Sequence, residues 1–305
     1  MPDLTTPPPD PPSKKHNEVA IELVSGSVGG ALQVLVGQPL DTLKTRAQTA
    51  PKGKYKNTLD ILTKTVKSEG PLALYKGMLS PLIGIAAVNS LLFTAYGASR
   101  RLVSPYPDLS IKQVAVAGGM AGAANAILAS PVEMFKIRMQ GQYGGAGDKK
   151  LGAVISSMWR EWGLRDGILR GYWVTVVREI PAYMGFYAGY ETTKRAFAGR
   201  YGSEPLPIWT LLTSGATGGV CYWLACYPLD VVKSRVQLAS HPPSRGGWFE
   251  GGYIGRELRA IIREGGVRSL FRGLSPSLLR AAPAAAATFV GFELTRDFIT
   301  KRNIL

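Results

Sequence analysis

Four long stretches of the chain contain no Asp, Glu, Lys or Arg and consist mainly of apolar residues. These stretches are 23–40, 77–99, 114–132 and 205–229, which hold 18, 23, 19 and 25 residues. A helix of about 20 apolar residues crosses the roughly 30 Å hydrocarbon layer of a bilayer. The pattern therefore predicts an all-α membrane protein with several spanning helices.

The composition supports a membrane protein rather than two soluble domains. Of the 305 residues 46% are hydrophobic and 19% charged, and the formal net charge is +15. In a soluble protein this charge would favour nucleic-acid binding. Here the basic residues lie mostly between the apolar stretches, where they suit anionic lipid headgroups. We therefore expect membrane lipids, and no nucleic acid, among the partners.

One motif occurs three times along the chain. The copies are QPLDTLKTRAQ at 38–48, SPVEMFKIRMQ at 130–140 and YPLDVVKSRVQ at 227–237. In each copy an acid follows the proline by two residues, a lysine by five, an arginine by seven and a glutamine by nine. Repeats at a fixed period indicate a repeated architecture. Glycines 13 and nine residues before each proline predict a close helix-packing face in every repeat; they are Gly26 and Gly30, Gly118 and Gly122, and Gly215 and Gly219.

A second, weaker motif opens another apolar helix in each copy. It is a basic residue followed by glycine, at Lys76-Gly77, Arg170-Gly171 and Arg272-Gly273. A short amphipathic stretch between the two helices, such as 59–66, should lie along the membrane surface. We expect three repeats, 18–106, 107–203 and 204–305, that form one transmembrane domain with six spans. The proline-rich residues 1–17 should form a disordered tail.

These motifs resemble those of the mitochondrial carrier family of inner-membrane transporters, over residues 18–300. The resemblance implies six transmembrane helices in three pseudo-symmetric repeats, each with a short amphipathic helix on the matrix side. It also implies a multi-pass protein of the mitochondrial inner membrane that exchanges a small-molecule substrate by alternating access. We expect cardiolipin among the lipids and no cofactor.

The repeated charges predict a closed ring of ion pairs between neighbouring helices. An acid and the lysine three positions later share one helix face, and prolines that kink the helices should draw their ends together. The resemblance implies that the ring closes the matrix side and that a glutamine braces each pair. The predicted matrix gate is Asp41, Lys44, Gln48, Glu133, Lys136, Gln140, Asp230, Lys233 and Gln237, and the predicted kinks are Pro39, Pro131 and Pro228.

A weaker ring is predicted at the opposite, cytosolic end. The first repeat has Gly97 where the other two have Glu191 and Glu293. With an acid missing on this side, we expect the empty protein to rest with its matrix gate closed. The predicted cytosolic gate is Arg100, Glu191, Lys194, Glu293 and Arg296.

The substrate site should lie between the gates, where the repeats differ. Seven residues beyond each turn glycine, about 10 Å along a helix, stand Gly84, Arg178 and Arg280. An ionisable residue at this depth is costly and by default functional, although Arg178 and the adjacent Glu179 also suit a purely structural ion pair. The predicted substrate-binding residues are Arg178, Glu179, Arg280, Gly84, Asn89 and Trp223.

The chemistry of this set favours a substrate with a carboxylate and a cationic nitrogen. A guanidinium binds a carboxylate through two hydrogen bonds, Glu179 suits an ammonium, and Trp223 offers a cation–π face unless it packs or faces lipid. The resemblance implies that Arg followed by an acid here accompanies amino-acid and carnitine-like substrates. Carriers of the ornithine type tend to have an acid where this chain has Val88, which favours carnitine, acylcarnitine or a neutral amino acid.

Three alternatives were weighed against this interpretation. They are a basic amino acid carrier, a proton-leak or scaffold protein of the same fold, and a membrane-embedded enzyme. The two cysteines share one apolar stretch and the two histidines lie in polar segments, so no catalytic or metal-binding constellation can be assembled from them. We expect neither an enzyme nor a metal site.

Overall fold

The structure is a computed structural model that describes residues 12–50, 53–106, 108–143, 148–202, 206–241 and 252–302. The described residues form helices and connecting turns, with no strand. The α-helices are α1 (Pro12–Thr49), α2 (Thr58–Glu69), α3 (Leu79–Val103), α4 (Ile111–Gln140), α5 (Leu151–Gly163), α6 (Tyr172–Tyr201), α7 (Ile208–Leu238), α8 (Gly252–Gly265) and α9 (Leu274–Arg302). Each repeat thus supplies a long first helix (α1, α4, α7), a short helix (α2, α5, α8) and a long second helix (α3, α6, α9).

The N-terminal helix begins earlier than the sequence predicted. Residues 12–17 were expected in a disordered tail, but α1 begins at Pro12. Proline is compatible with the first turn of a helix, because the N–H that it lacks has no helical partner there. Residues 1–11 of the predicted tail lie outside the described residues.

The six long helices close into a ring. α1 packs extensively against α9, α3 against α4, and α6 against both α4 and α7. Contacts between α1 and α3 and between α7 and α9 are far fewer. Repeat 2 is therefore the tightly packed repeat, whereas the two long helices of repeat 1, and those of repeat 3, contact one another little.

Both glycines of the predicted packing face lie against the second helix in repeat 2, whereas in repeats 1 and 3 only the second glycine, Gly30 or Gly219, does so. A Cβ atom placed on Gly122 would lie 2.6 Å from the carbonyl oxygen of Glu179, and one on Gly118 would lie 2.7 Å from that of Tyr183. At the matching Gly26 and Gly215 the same atom would meet nothing within 4 Å. The prediction is wrong at these two positions, because α1 and α3, like α7 and α9, do not approach one another closely there.

The turn glycines close the ring between repeats. Gly77, Gly171 and Gly273 have φ values of 78°, 79° and 82°, a backbone conformation that L side chains rarely adopt. Each lies against the first helix of the next repeat: a Cβ atom would be 2.8 Å from Lys136 O at Gly77 and 3.0 Å from Lys44 O at Gly273. Glycine is required here by both the backbone conformation and the close approach.

The long helices differ in how apolar they are. Among the described residues, two helical segments are apolar enough by length and composition to cross a membrane. One is α4, and the other is Pro71–Val103, which consists of α3 and the turn before it. The other four mix apolar residues with charged and small polar ones. Pro39, Pro131 and Pro228 lie inside α1, α4 and α7, which continue beyond them.

A buried ion-pair cluster fastens the short helix α2 to α1. The guanidinium of Arg46 is fully buried and binds both carboxylate oxygens of Glu69, at 2.5 and 2.9 Å. Lys76 binds the same carboxylate at 2.8 Å. Burial by itself raises the pKa of Glu69, but the hydrogen bonds from Arg46 and Lys76 outweigh it and hold this pKa below its ordinary value of 4.5.

Replacing Glu69 by Gln should lower the free energy of unfolding by about 2 kcal/mol, because Arg46 loses its buried counter-charge. Since the folded pKa of Glu69 is depressed, this contribution is present above pH 4.5 and is lost as the pH falls through the lower folded value. Thermal unfolding in detergent at pH 7 is the measurement. Asp297→Asn, at an exposed pair with Lys301, is the control, and equal melting temperatures of the two variants would contradict the assignment.

Candidate functional site

Three ion pairs join the first helices of the three repeats into a closed ring. Lys44 of α1 binds Asp230 of α7 at 2.7 Å, Lys136 of α4 binds Asp41 of α1, and Lys233 of α7 binds Glu133 of α4. Every lysine thus pairs with the acid of a different repeat, as the motif spacing predicts. We call these six residues the matrix ring, after the side of the membrane at which the sequence predicts this gate.

The glutamines do not act alike, although their motif positions are identical. Gln48 donates to Asp230 at 2.9 Å and accepts from Ser234 at 2.8 Å. Gln140 accepts from Thr45 at 2.7 Å and donates to Thr42 at 3.2 Å, and within the described structure it has no hydrogen bond with an acid or lysine of the ring. In the described part of the chain, both polar atoms of the buried Gln237 side chain have no hydrogen-bond partner. Among the described residues one brace of the predicted three is formed.

The motif position six residues after the proline explains why Gln237 differs from the other two glutamines. It holds Thr45 in repeat 1 and Ser234 in repeat 3, and these hydroxyls bind Gln140 and Gln48. The threefold pattern would pair Gln237 with Ile137, which has no hydroxyl. The signal was present in the sequence, as two hydroxyl residues and one isoleucine at a single position, but it was missed.

Both predicted substrate-site arginines bind acids of the matrix ring. Arg178 lies 3.2 Å from Asp230, and it also pairs with Glu179 and approaches Glu133 at 3.9 Å. Arg280 binds Asp41 at 3.1 Å. The predicted site and the predicted gate are therefore one connected network.

An aromatic pair lies beside this network. Trp223 is buried, and the ammonium of Lys44 lies over its ring, 3.9 Å from the centroid. Trp223 therefore faces the interior rather than lipid. The neighbouring Tyr222, which the sequence analysis did not single out, lies 5.2 Å from the guanidinium of Arg178.

The two remaining predicted substrate residues occupy different environments. A Cβ atom on Gly84 would lie 2.6 Å from Val132, so the glycine allows α3 to pack closely against α4. Its contact with substrate stays a prediction. The side-chain amide nitrogen of Asn89 would lie 3.7 Å from a Cβ atom placed on Gly30 of α1. Asn89 therefore lies beside α1, and among the described residues no hydrogen bond joins it to Arg178 or Arg280.

The ring residues, together with Arg280 and Trp223, line a polar pocket of about 60 Å³. Sites for drug-sized ligands occupy roughly 300–1,000 Å³. The space between the ring residues is therefore too small for a metabolite.

The predicted cytosolic gate is arranged differently. Glu191 binds Arg195, one turn along its own helix, at 2.7 Å. Arg195, which the sequence analysis missed, also donates to the carbonyl of Leu109 at 2.6 Å. Across the described parts of the chain, neither Glu191 nor Glu293 forms an ion pair with Lys194 or Arg296. The role of Arg100, Glu191, Lys194, Glu293 and Arg296 as a cytosolic gate stays a prediction.

A sequence model described as "Mitochondrial carrier protein" matches residues 15–106, 107–201 and 204–303. The chain belongs to the mitochondrial carrier family. A mitochondrial carnitine/acylcarnitine carrier-like protein of Arabidopsis thaliana is 35% identical to it over 298 residues, 90% of this chain and 97% of that protein. Mitochondrial ornithine transporter 1 of Mus musculus is 35% identical over 294 residues, 92% of this chain and 95% of its own.

The mitochondrial carnitine/acylcarnitine carrier protein of Homo sapiens is also similar, at 35% identity over 290 residues, 91% of this carrier and 93% of the human protein. The threefold match and the helical structure establish the predicted fold: six transmembrane helices in three repeats. This protein is a mitochondrial solute carrier of the inner membrane, and members of its family are transporters.

Gly97→Glu should shift the carrier towards the state that is open to the matrix, because it supplies the acid missing from the cytosolic ring. A Cβ atom at Gly97 meets nothing within 4 Å, so the side chain fits. One exposed pair contributes about 1 kcal/mol, or a shift of about fivefold. The reporter is a cysteine that replaces Ile137, which lines the pocket of the matrix ring, in a protein whose Cys221 and Cys226 have been replaced. The measurement is the ratio of labelling of this cysteine from the matrix side to labelling from the cytosolic side. Equal labelling ratios with Gly97 and with Glu would refute the prediction.

Gln48→Leu should lower the melting temperature more than Gln237→Leu does. The first variant removes the hydrogen bonds that Gln48 makes with Asp230 and Ser234, a loss of about 1–3 kcal/mol. The second removes an amide that has no hydrogen-bond partner among the described residues. Thermal unfolding of both purified variants measures the difference. A larger effect at Gln237 would show that the brace is misassigned.

Proposed function

We propose that this carrier exchanges a small metabolite with one carboxylate and one cationic nitrogen, such as an amino acid, carnitine or acylcarnitine. Exchange proceeds by alternating access, without catalysis of a chemical reaction. The observation that carries the proposal is the placement of Arg178, Glu179 and Arg280 around the matrix ring. Two guanidiniums and one carboxylate complement the charges of such a metabolite.

The substrate carboxylate competes with the ring acids for the arginines. Arg178 holds Asp230 and Arg280 holds Asp41 in the closed ring. A carboxylate from the substrate offers a guanidinium the same paired hydrogen bonds. When it takes them, Asp230 or Asp41 loses a partner and the ring weakens. Substrate binding thereby favours the open gate through its differential affinity for the two states.

The cationic end of the substrate has two partners near the arginines. Glu179 is bound to Arg178 in the closed ring and becomes available to a cation when Arg178 turns to the substrate. The ammonium of Lys44 lies over the indole of Trp223, so this indole already forms a cation–π contact. A substrate ammonium can take the place of the Lys44 ammonium over the indole and so release Lys44 from the matrix ring.

The relatives support this substrate class, since two of those described are named as carriers of carnitine and acylcarnitine. A basic amino acid is the second candidate, favoured by the similarity to an ornithine transporter. Val88 speaks against it, because it supplies no carboxylate for a second amino group. The organised charges around the ring speak against a proton leak or a scaffold. Cardiolipin and other membrane lipids stay predicted partners, and no nucleic-acid partner is expected.

Arg178→Ala, Glu179→Ala and Arg280→Ala should each reduce exchange in proteoliposomes by about a hundredfold or more, because each removes a charge that pairs in the site. Arg101→Ala, at an exposed position near the end of α3, is the matched control. Melting curves show whether each variant is folded. Normal exchange by all three folded variants would overturn the site assignment.

The same proteoliposomes distinguish the substrate classes. Carnitine, acylcarnitines and neutral amino acids should exchange faster than ornithine, while choline, which lacks the carboxylate, should not exchange. Preferred transport of ornithine would establish the second candidate instead.

A further inference from the structure

A second layer of contacts lies outside the matrix ring, where each repeat meets the next. Each repeat supplies two basic residues to this layer, one seven positions after the motif proline and one in the turn. The two positions hold Arg46 and Lys76 in repeat 1, Arg138 and Arg170 in repeat 2, and Arg235 and Arg272 in repeat 3. Eleven positions after each proline stand Ala50, Gln142 and Ala239.

At two junctions both basic side chains hold one main-chain carbonyl of the next repeat. Arg46 and Lys76 of repeat 1 donate to the carbonyl of Gln142 at 3.0 and 3.2 Å. Arg138 and Arg170 of repeat 2 donate to the carbonyl of Ala239 at 2.6 and 2.8 Å. We call this arrangement a carbonyl clamp. Each clamp lies at the end of a first helix, where carbonyl groups lack helical partners and cations are favoured.

The third junction, from repeat 3 back to repeat 1, is built differently. Arg235 is bound to Glu264 by two hydrogen bonds, one of 2.8 Å. Within the described residues neither Arg235 nor Arg272 donates to the carbonyl of Ala50. A cavity of about 360 Å³ lies here instead, lined by all four of these residues and by Gln48 of the matrix gate.

The basic side chains of repeat 2 depend on their shared carbonyl more than those of repeat 1 do. Arg170 is 2% exposed, and in the described structure Asp166 and Glu161 act on it through longer-range electrostatic attraction, without an ion pair at contact distance. Besides Ala239 it binds the carbonyl of Asp166. In repeat 1, by contrast, Glu69 also binds both basic side chains. Loss of the Ala239 carbonyl would therefore leave the guanidiniums of repeat 2 without a second strong acceptor.

We propose that the carbonyl clamps are an outer layer of the matrix gate, in which the basic side chains of repeats 1 and 2 hold the main chain of the next repeat. Among the described residues the junction between repeats 3 and 1 has no such hold, and it is the seam at which this layer is open. Arg46, Lys76, Arg138 and Arg170 are positioning residues for the closed state. The inference concerns gating and is independent of which substrate is carried.

The experiment compares Arg170 with Arg272, its equivalent at the junction without a clamp. Each is replaced by Gln in the protein that carries the Ile137→Cys reporter and lacks Cys221 and Cys226. An impermeant maleimide is applied from one side of the proteoliposome membrane and then from the other, with no substrate present. Failure of the proposed substrate site would therefore leave this measurement unaffected.

Arg170→Gln should raise labelling from the matrix side relative to the cytosolic side by about tenfold, as expected for loss of a charge-assisted hydrogen bond. Arg272→Gln should stay within about twofold of its parent, since no clamp is lost. Arg170→Lys should restore most of the closed population, because Lys76 holds the equivalent carbonyl with an ammonium. This rescue distinguishes a gating role from a general loss of packing.

Equal increases in Arg170→Gln and Arg272→Gln, or no increase in folded Arg170→Gln, would overturn the proposal. Arg138→Gln removes the other donor to the same carbonyl and should shift labelling in the same direction. It replaces Arg170→Gln if that variant does not give monodisperse protein, and an unchanged labelling ratio would then overturn the proposal equally.

Discussion

The structure depends on ion pairs that no repeat can complete alone. A charge buried in a membrane protein is expensive unless a partner neutralises it. The acid and the lysine of each motif point to different neighbours, so a single repeat would bury two unpaired charges. Satisfying all six requires three first helices whose motifs lie at one level. The convergence of α1, α4 and α7 follows from this requirement, and the second helices then fill the ring between them.

Threefold symmetry ends at the motif, because the surroundings of equivalent residues differ. Gln48 reaches an ion pair, while Gln237 finds no partner, since the hydroxyl that the others use is replaced by Ile137. Packing differs as well: α4 and α6 approach through glycines, whereas α1 and α3 contact little. Because the contacts between neighbouring repeats differ in number and kind, the three junctions of the gate differ in strength. The gate therefore need not open symmetrically.

Site and gate share their residues, and this sharing gives a physical basis for coupling. Arg178 and Arg280 stabilise the closed ring by binding Asp230 and Asp41. A ligand that takes these guanidiniums for itself removes the same interactions from the ring. Because a ligand shifts an equilibrium only by its differential affinity for the two states, competition of this kind links occupancy of the site to opening without a separate relay.

The sequence by itself determined the fold class, the three repeats and the partners in the matrix ring, because identical offsets from three prolines leave few ways to pair three acids with three lysines. It also located Arg178, Glu179 and Arg280, since charges within apolar helices are rare. Only the tertiary structure decided what those arginines bind, that Gly84 packs against Val132, and which glutamine braces a pair. These outcomes depend on side chains from other repeats, which lie within a few ångströms in space but between 48 and 239 residues away in the chain, and motif spacing does not encode such distances.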